Sequence, residues 1–375
     1  MSGNIFMTKI QVERVRHLKN VNIEISDTHR KHLILTGKNG SGKTSVLEAL
    51  FKSIKSQQTS ESSHSIGTLF STGGGTSILM SFSRNIYFKD TMFVYIPTMR
   101  NKIDVPAAIG TININDKNII DSNVNKDFLK YILSLDYQLY GAQRDNNTAL
   151  IANLTQWFDN LVNALRYIYD CQELQLHRDT KNLAFRIEMP SREPFALHEM
   201  SDGYRAFLNI YMELLMRMES DGGVVDYEKP AIVLIDEIET HLHVELQKRV
   251  LPFLVRLFPN VQFIVATHSP FVMTSLENAV VYDLEKNERL ESPSFYSYDT
   301  IVESFLGTSM YSNELQRTFT RYKELCLKER TAEENDEFLR TKAELEIKAI
   351  PSTELYIAFQ ELEKARKAAK NGTPN

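Results

Sequence analysis

The stretch Gly37-Lys38-Asn39-Gly40-Ser41-Gly42-Lys43-Thr44 follows a compact apolar run, His32–Thr36. It precedes Val46, Leu47, Leu50, Phe51 and Ile54, which recur at helical spacing. A strand, a glycine-rich loop and a helix in this order are what a phosphate-binding loop requires, so this feature constrains the fold more than any other. Only 15 of 375 residues are glycine, yet Gly37, Gly40 and Gly42 fall within six positions. Glycines let successive backbone N–H groups curl inward toward phosphate oxygens. The helix N-terminus adds about half a positive charge. Lys43 is expected to reach the β- and γ-phosphates of a nucleotide, and the Thr44 hydroxyl to coordinate Mg²⁺. Asn39, Ser41 and Ser45 complete the expected nucleotide contacts.

Three further motifs follow in the chain. Ala231–Ile235 is five apolar residues ending in Asp236-Glu237. Such a strand would carry Asp236 to the sheet edge beside Thr44, with Glu237 placed to polarise an attacking water. Met200-Ser201-Asp202-Gly203-Tyr204-Arg205 opens a long amphipathic helix. Ser201 can be read simply as an N-cap. Gly203 in the first turn, costing about 1 kcal/mol against alanine, would instead leave room for a phosphate held by another subunit. Thr267-His268-Ser269-Pro270 follows the apolar run Val261–Ala266, which puts His268 where ligands of open α/β sheets collect. His241 and His243 have a spacing open to a metal reading, but no third ligand is evident, so a structural or subunit-contact role is expected.

The surrounding pattern predicts an α/β fold with a mostly parallel central sheet. Residues 8–25 alternate as an antiparallel strand pair. Residues 56–77, rich in Ser, Thr and Gln and containing Gly73–Gly75, read as a mobile loop, and strands are expected near 78–88 and 91–96. Leu150, Leu154, Trp157, Phe158, Leu161, Leu165 and Ile168 form one wide apolar helical face, and a hairpin is expected over 173–187. The expected organisation is a head of residues 1–97 and 173–285, an inserted helical lobe at 98–172 and a helical C-terminal region at 286–375. Residues 311–375 hold 12 basic and 12 acidic side chains.

Composition supplies bounds. The net charge of −5 argues against a whole-surface nucleic-acid binder, though not against a local basic groove. Cys171 and Cys326 lie far apart without metal-ligand spacing, which suits buried thiols in a reducing cytoplasm. No signal peptide and no membrane span are expected, and hence no membrane partner.

Taken in order, phosphate loop, Ser-Asp-Gly signature, Asp-Glu strand and histidine resemble the ABC-type ATPase heads, with the signature some 30 residues before the acidic pair. Asp236-Glu237-x-Glu239-x-x-Leu242-His243 and Thr267-His268-Ser269-Pro270 resemble the branch that holds OLD-family proteins and the ATPases of the Septu, PARIS and retron anti-phage systems. Ile10–Leu18 with Lys19-Asn20-Val21, and Tyr95-Ile96-Pro97-x-x-Arg100, are similar to strands of that branch. The resemblance implies ATP and Mg²⁺ as ligands, with Gly37–Ser45 at the phosphates and Thr44 and Asp236 at the metal. It further implies Glu237 as catalytic base, His268 as a γ-phosphate switch, and Ser201 and Gly203 acting in trans across a homodimer or larger homo-oligomer. The Mg²⁺-sensing glutamine of ABC heads has no clear counterpart, Gln143 being the candidate.

The leading expectation is an ATP-hydrolysing regulator of a separate effector, a nuclease or toxin, in phage defence. The 107 residues after His268 lack a second apolar-strand and carboxylate pattern, so a built-in nuclease is not expected. The alternative is a RecF- or SMC-like DNA-binding ATPase acting in repair, although the long heptad arms of an SMC protein are absent. A transporter's energising subunit fits the Thr267–Pro270 segment and the helical insertion poorly.

Overall fold

The computed structural model describes residues 5–58, 68–72, 76–86, 91–98, 128–179, 184–190, 192–219, 224–307, 312–327, 330–348 and 354–371. The chain divides into two compact units, Met1–Tyr298 and Asp299–Asn375.

In the first unit the N-terminal strands are β1 (Met7–Val15), β2 (Leu18–Glu24), β3 (His32–Thr36), β4 (Thr68–Thr72), β5 (Thr76–Phe82) and β6 (Met92–Ile96), with helix α1 (Lys43–Gln58) after β3. Helices α2 (Phe128–Arg144) and α3 (Thr148–Tyr169) lead into β7 (Gln175–Asp179), β8 (Ala184–Met189) and β9 (Arg192–Ala196). Then come α4 (Asp202–Met218), β10 (Ala231–Ile235), α5 (Val244–Leu257), β11 (Val261–Ala266), α6 (Pro270–Met273), β12 (Ala279–Asp283) and β13 (Glu288–Glu291).

A six-stranded sheet runs β13-β12-β3-β11-β10-β6, parallel throughout except for β13 at one edge. Its inner strands are predominantly apolar because helices and a second sheet cover both faces; every residue of β10 and β11 is buried, Gln262 of β11 included. Each such Val, Ile or Leu side chain contributes about 1.5–3 kcal/mol on burial. The second sheet, β2-β1-β5-β4, is antiparallel. Its Ile10, Val12, Ile23, Ile78 and Met80 share one core with Val46, Leu47 and Leu50 of α1 and Leu33 and Leu35 of β3. The mostly parallel sheet with antiparallel N-terminal strands is the expected fold class.

Three local readings are corrected. Residues 68–72, expected as loop, form β4 and pair with β5, since threonine's branched Cβ suits an extended chain even in a polar stretch. Gly73–Gly75 lies outside the described residues. The hairpin at 175–189 gains a third strand, β9. Phe158 of α3 stacks on Phe185 of β8 at 5.8 Å, so residues expected in the head pack on the helical lobe. Residues 286–298, expected in the C-terminal helical region, remain in the first unit, where β13 pairs antiparallel to β12.

The second unit carries helices Asn313–Cys326, Ala332–Lys348 and Glu354–Asn371. Tyr322, Leu325, Phe338, Leu345, Leu355 and Phe359 form its core. Glu363 is buried against it, accepting from the Tyr322 hydroxyl, from Lys342 Nζ at 2.7 Å and from Arg366 at 3.1 Å. Burial would raise the Glu363 carboxyl, but those three donors outweigh it and hold its pKa at about 2. Among the described residues, no helix is long and apolar enough to cross a membrane.

Candidate functional site

Strands β3, β11, β10 and β6 are neighbours and parallel, so their carboxyl ends deliver four segments to one sheet edge. From β3 comes the loop 37–44. It turns through left-handed backbone at Gly37 (φ +130°), Gly40 (+85°) and Gly42 (+102°), which L side chains rarely adopt. Two of these glycines also lie close against neighbouring side chains, which a Cβ would displace. A Cβ on Gly42 would meet Leu18 Cδ1 at 2.7 Å, and one on Gly37 would meet Ser41 Oγ at 2.7 Å. Lys43 is buried, and its ammonium donates to the loop carbonyls of Gly37 (2.8 Å) and Lys38 (3.2 Å). Burial lowers its pKa, opposed by the charges of Glu239, Glu237, Asp236 and Asp283. Ser41 Oγ is buried without a hydrogen-bond partner.

From β10 comes Asp236, 3% exposed, with its backbone N–H bonded to Ile96 O of β6 at 2.9 Å. Thr44 Oγ1 donates to Asp236 Oδ1 at 3.1 Å, which joins the phosphate loop to the acidic pair across the intervening strand. Thr98, just past β6, donates to Asp236 Oδ2 at 2.9 Å. Burial raises the Asp236 carboxyl pKa, while the Thr98 and Thr44 hydrogen bonds pull it down and Glu237 and Glu48 push it up. Glu237 has φ +43°, a left-handed conformation for a non-glycine residue, and accepts from Thr240 Oγ1 at 3.2 Å. Backbone outliers of this kind concentrate at functional sites. From β11 comes His268, half-buried; burial and then the Lys43 charge lower its pKa, against Glu239, Glu237 and Asp236. Its backbone N–H donates to Glu239 Oε1 at 2.6 Å, and Thr267 Oγ1 donates to Glu239 Oε2 at 2.7 Å.

These groups border a cleft of about 220 Å³ that is lined by Asn39, Gly40, Gly42, Lys43, Thr44, Ser45, Glu237 and His268, together with Arg16 and His17. The chemistry of the donors fits a nucleotide and a hard divalent cation. The loop offers inward-curled amides, a desolvated ammonium and an orphaned hydroxyl. Asp236 and Thr44 offer oxygen ligands of the kind Mg²⁺ prefers, with room for waters and phosphate oxygens.

The structure places Ser201 and Gly203 elsewhere. Ser201 occupies the N-cap position of α4, exposed, but its hydroxyl makes no capping bond. A Cβ on Gly203 would lie 2.8 Å from the His241 carbonyl oxygen, so its glycine has a reason within this chain. Tyr204 stacks on Tyr169 of α3 at 4.1 Å. Gln143 is exposed near the end of α2 and is not among the cleft-lining residues; the side chain that joins Thr44 at Asp236 is Thr98. Arg100 lies outside the described residues.

Sequence reasoning missed Thr98, Arg16 and His17. Thr98 has a signal, two residues past the end of a strand whose neighbour ends in the acidic pair. Arg16 and His17 have none, because only the docking of the β1–β2 turn against Gly42 brings them to the cleft.

The family described as "AAA domain, putative AbiEii toxin, Type IV TA system" matches residues 109–274, a span that holds the signature, the acidic pair and His268. The Septu protein PtuA of Bacillus mycoides (strain KBAB4) is 22% identical over 348 residues, 84% of this chain and 47% of that protein. The "Retron Ec83 probable ATPase" of Escherichia coli is 32% identical over 97 residues, 25% of this chain and 18% of that protein. The chain thus spans about half or less of the length of these relatives. Among solved structures, an Smc head bound to the C-winged helix domain of ScpA covers 78% of this chain and 100% of its own, at 13% identity and a TM-score of 0.43. The phosphate loop, the acidic pair and His268 thus converge on one sheet edge, in a chain that is similar over the spans given to this AAA-domain family, to the Septu protein PtuA and to a retron probable ATPase.

Proposed function

We propose that this chain binds and hydrolyses ATP with Mg²⁺, dimerises through ATP held between two heads, and thereby regulates a separate effector. The observation that carries the reading is the Thr44–Asp236 hydrogen bond, which unites the loop and the acidic strand in one cleft with Lys43, Glu237 and His268. In the reaction, water attacks the γ-phosphorus, the bond to the β–γ bridging oxygen breaks, and ADP leaves with the bonding electrons. Lys43 exchanges its two loop carbonyls for phosphate oxygens. Glu237 takes a proton from the attacking water. His268, kept neutral at physiological pH by burial and by Lys43, donates one N–H toward a γ-phosphate oxygen. Mg²⁺, held by Thr44 and Asp236, would neutralise charge on the β- and γ-phosphates.

The second half of the site comes from another copy. The Ser201 hydroxyl, unused by its own helix, and the first-turn amides of α4 are the groups available to a nucleotide bound elsewhere. Similarity to the Septu protein PtuA along most of this chain supports a place in phage defence, with a nuclease or toxin as the regulated partner.

Phosphate release and light scattering test the reading on the purified chain. Lys43→Ala should abolish nucleotide binding. Glu237→Gln should keep binding, lower turnover by about 10²-fold or more, and accumulate an ATP-bound oligomer. If both variants leave hydrolysis and oligomeric state unchanged, the proposal fails. Copurification of the chain from its native cell would identify the effector.

A further inference from the structure

Glu239 lies two residues past the candidate general base, and none of the proposed chemistry uses it. Its half-buried carboxylate has each oxygen committed to the next strand's loop: Oε2 accepts from Thr267 Oγ1 and Oε1 from the His268 backbone N–H. Thr267 is fully buried and anchored on both sides. Its N–H continues the sheet ladder to Leu35 O at 3.0 Å, and its hydroxyl accepts from Ser269 N–H at 3.0 Å. On its own side, Glu239 sits between two tight turns, with Thr240 N–H bonded to Glu237 O at 3.0 Å and Leu242 N–H to Glu239 O at 2.8 Å. Glu237 is held left-handed within the first of these turns. One side chain therefore ties the segment that carries Glu237 to the segment that carries His268.

We infer that Glu239 is a positioning residue for the hydrolytic step, its carboxylate clamping Thr267 and the His268 amide so that the Glu237 carboxylate and the His268 imidazole face the cleft in one frame. The inference rests on the roles given to Glu237 and His268 above. Charge-assisted bonds to a backbone amide and a buried hydroxyl have the strength and direction this needs. Loss of alignment by about 1 Å between reacting groups can cost on the order of 10²-fold in rate. The clamp makes no hydrogen bond to the phosphate loop or to Asp236, so its loss should not weaken nucleotide binding. Its charge does act on Lys43 and His268, and Glu239→Gln, which removes the charge but keeps the clamp, separates the two effects.

The test uses the full chain. Glu239→Ala should lower kcat about 10- to 100-fold, with KM and the Kd of a fluorescent ATP analogue changed less than about 3-fold. Hydrogen–deuterium exchange without nucleotide should speed up in the peptide holding the His268 amide. Because Glu239 acts through its partners, adding Glu239→Ala to His268→Ala should lower kcat little beyond His268→Ala alone. Glu239→Gln keeps an acceptor for the amide and can donate to Thr267 Oγ1, so it should restore kcat to near the wild-type value. Thr267→Val cuts the clamp from its other end and serves if Glu239→Ala does not fold; it should reproduce the kcat-only loss.

Unchanged kcat and unchanged exchange in Glu239→Ala overturn the inference, as does full additivity with His268→Ala. A loss of ATP affinity in step with kcat, or a Glu239→Gln variant as impaired as Glu239→Ala, overturns it too. A wild-type chain that turns over no ATP overturns the proposed function instead, and the exchange rate at His268 still reports whether the clamp exists.

Discussion

His32, on the strand that feeds the phosphate loop, makes the stability of this protein depend on pH in a calculable way. Its ring is 3% exposed, and Nδ1 accepts the backbone N–H of Phe263 at 3.1 Å, which only the neutral imidazole can do. Burial, and secondarily the nearby Arg30, lower its pKa from 6.5 to about 3. Because the folded pKa lies below the unfolded one, the unfolded chain binds more protons between those values. The contribution to stability is therefore complete above about pH 6.5 and is lost as pH falls toward 3. At pH 5 the loss is 1.5 pH units at 1.36 kcal/mol each, or about 2 kcal/mol, and it does not depend on the folded value as long as that stays below about 4. For a unit of 298 residues the change corresponds to a fall in Tm of about 3 °C. The measurement is urea or thermal unfolding at pH 7.5 and pH 5, for the wild type and for His32→Asn. Asparagine can offer Oδ1 to the Phe263 N–H but does not titrate. The variant should be less stable at pH 7.5, by about 1–2 kcal/mol for the lost ring volume. It should then lose about 2 kcal/mol less than the wild type on acidification. Parallel pH profiles would refute the reasoning.

Gly203→Ala should lower Tm by a few degrees, because the 2.8 Å approach to a backbone carbonyl outweighs the ~1 kcal/mol that alanine adds to a helix; a rise in Tm would show that the α4–His241 contact relaxes freely. Thr98→Val removes one of the two threonine donors to Asp236 and should raise the Mg²⁺ concentration needed for half-maximal hydrolysis several-fold, with Thr98→Ser restoring it. Equal Mg²⁺ requirements in all three proteins would remove Thr98 from the site. Glu363→Gln should loosen the C-terminal helices by about 2 kcal/mol, read as faster exchange over 313–371. In the wild type the same stabilisation should be present above the unfolded carboxyl pKa near 4.5 and fade as pH falls toward 2, since the folded value is depressed.

Much of this protein was legible along the chain because its strongest signals are local. A glycine cluster between an apolar strand and a helix, and an apolar strand ending in Asp236-Glu237, are read from neighbours in sequence, and strand–helix alternation implies parallel pairing. Composition misled where it stood in for pattern, as at 68–72, where threonines in a polar stretch form β4. It also misled at 286–298, where an exposed edge strand carries charged residues and no apolar alternation.

What the sequence determined by itself is the set of chemical groups and their order: loop, signature, acidic pair, histidine. Which of them meet was decided by the tertiary structure. The strand order β3-β11-β10-β6 puts Thr44, His268, Asp236 and Thr98 at one edge, although 192 residues separate Thr44 from Asp236. It also assigns Gly203 to the His241 carbonyl, brings Arg16 and His17 over Gly42, and gives Glu239 its grip on the next loop. Those contacts depend on strand order and on angström-scale approach across the sheet, and pairings between residues far apart in the chain leave no periodicity in the sequence to read.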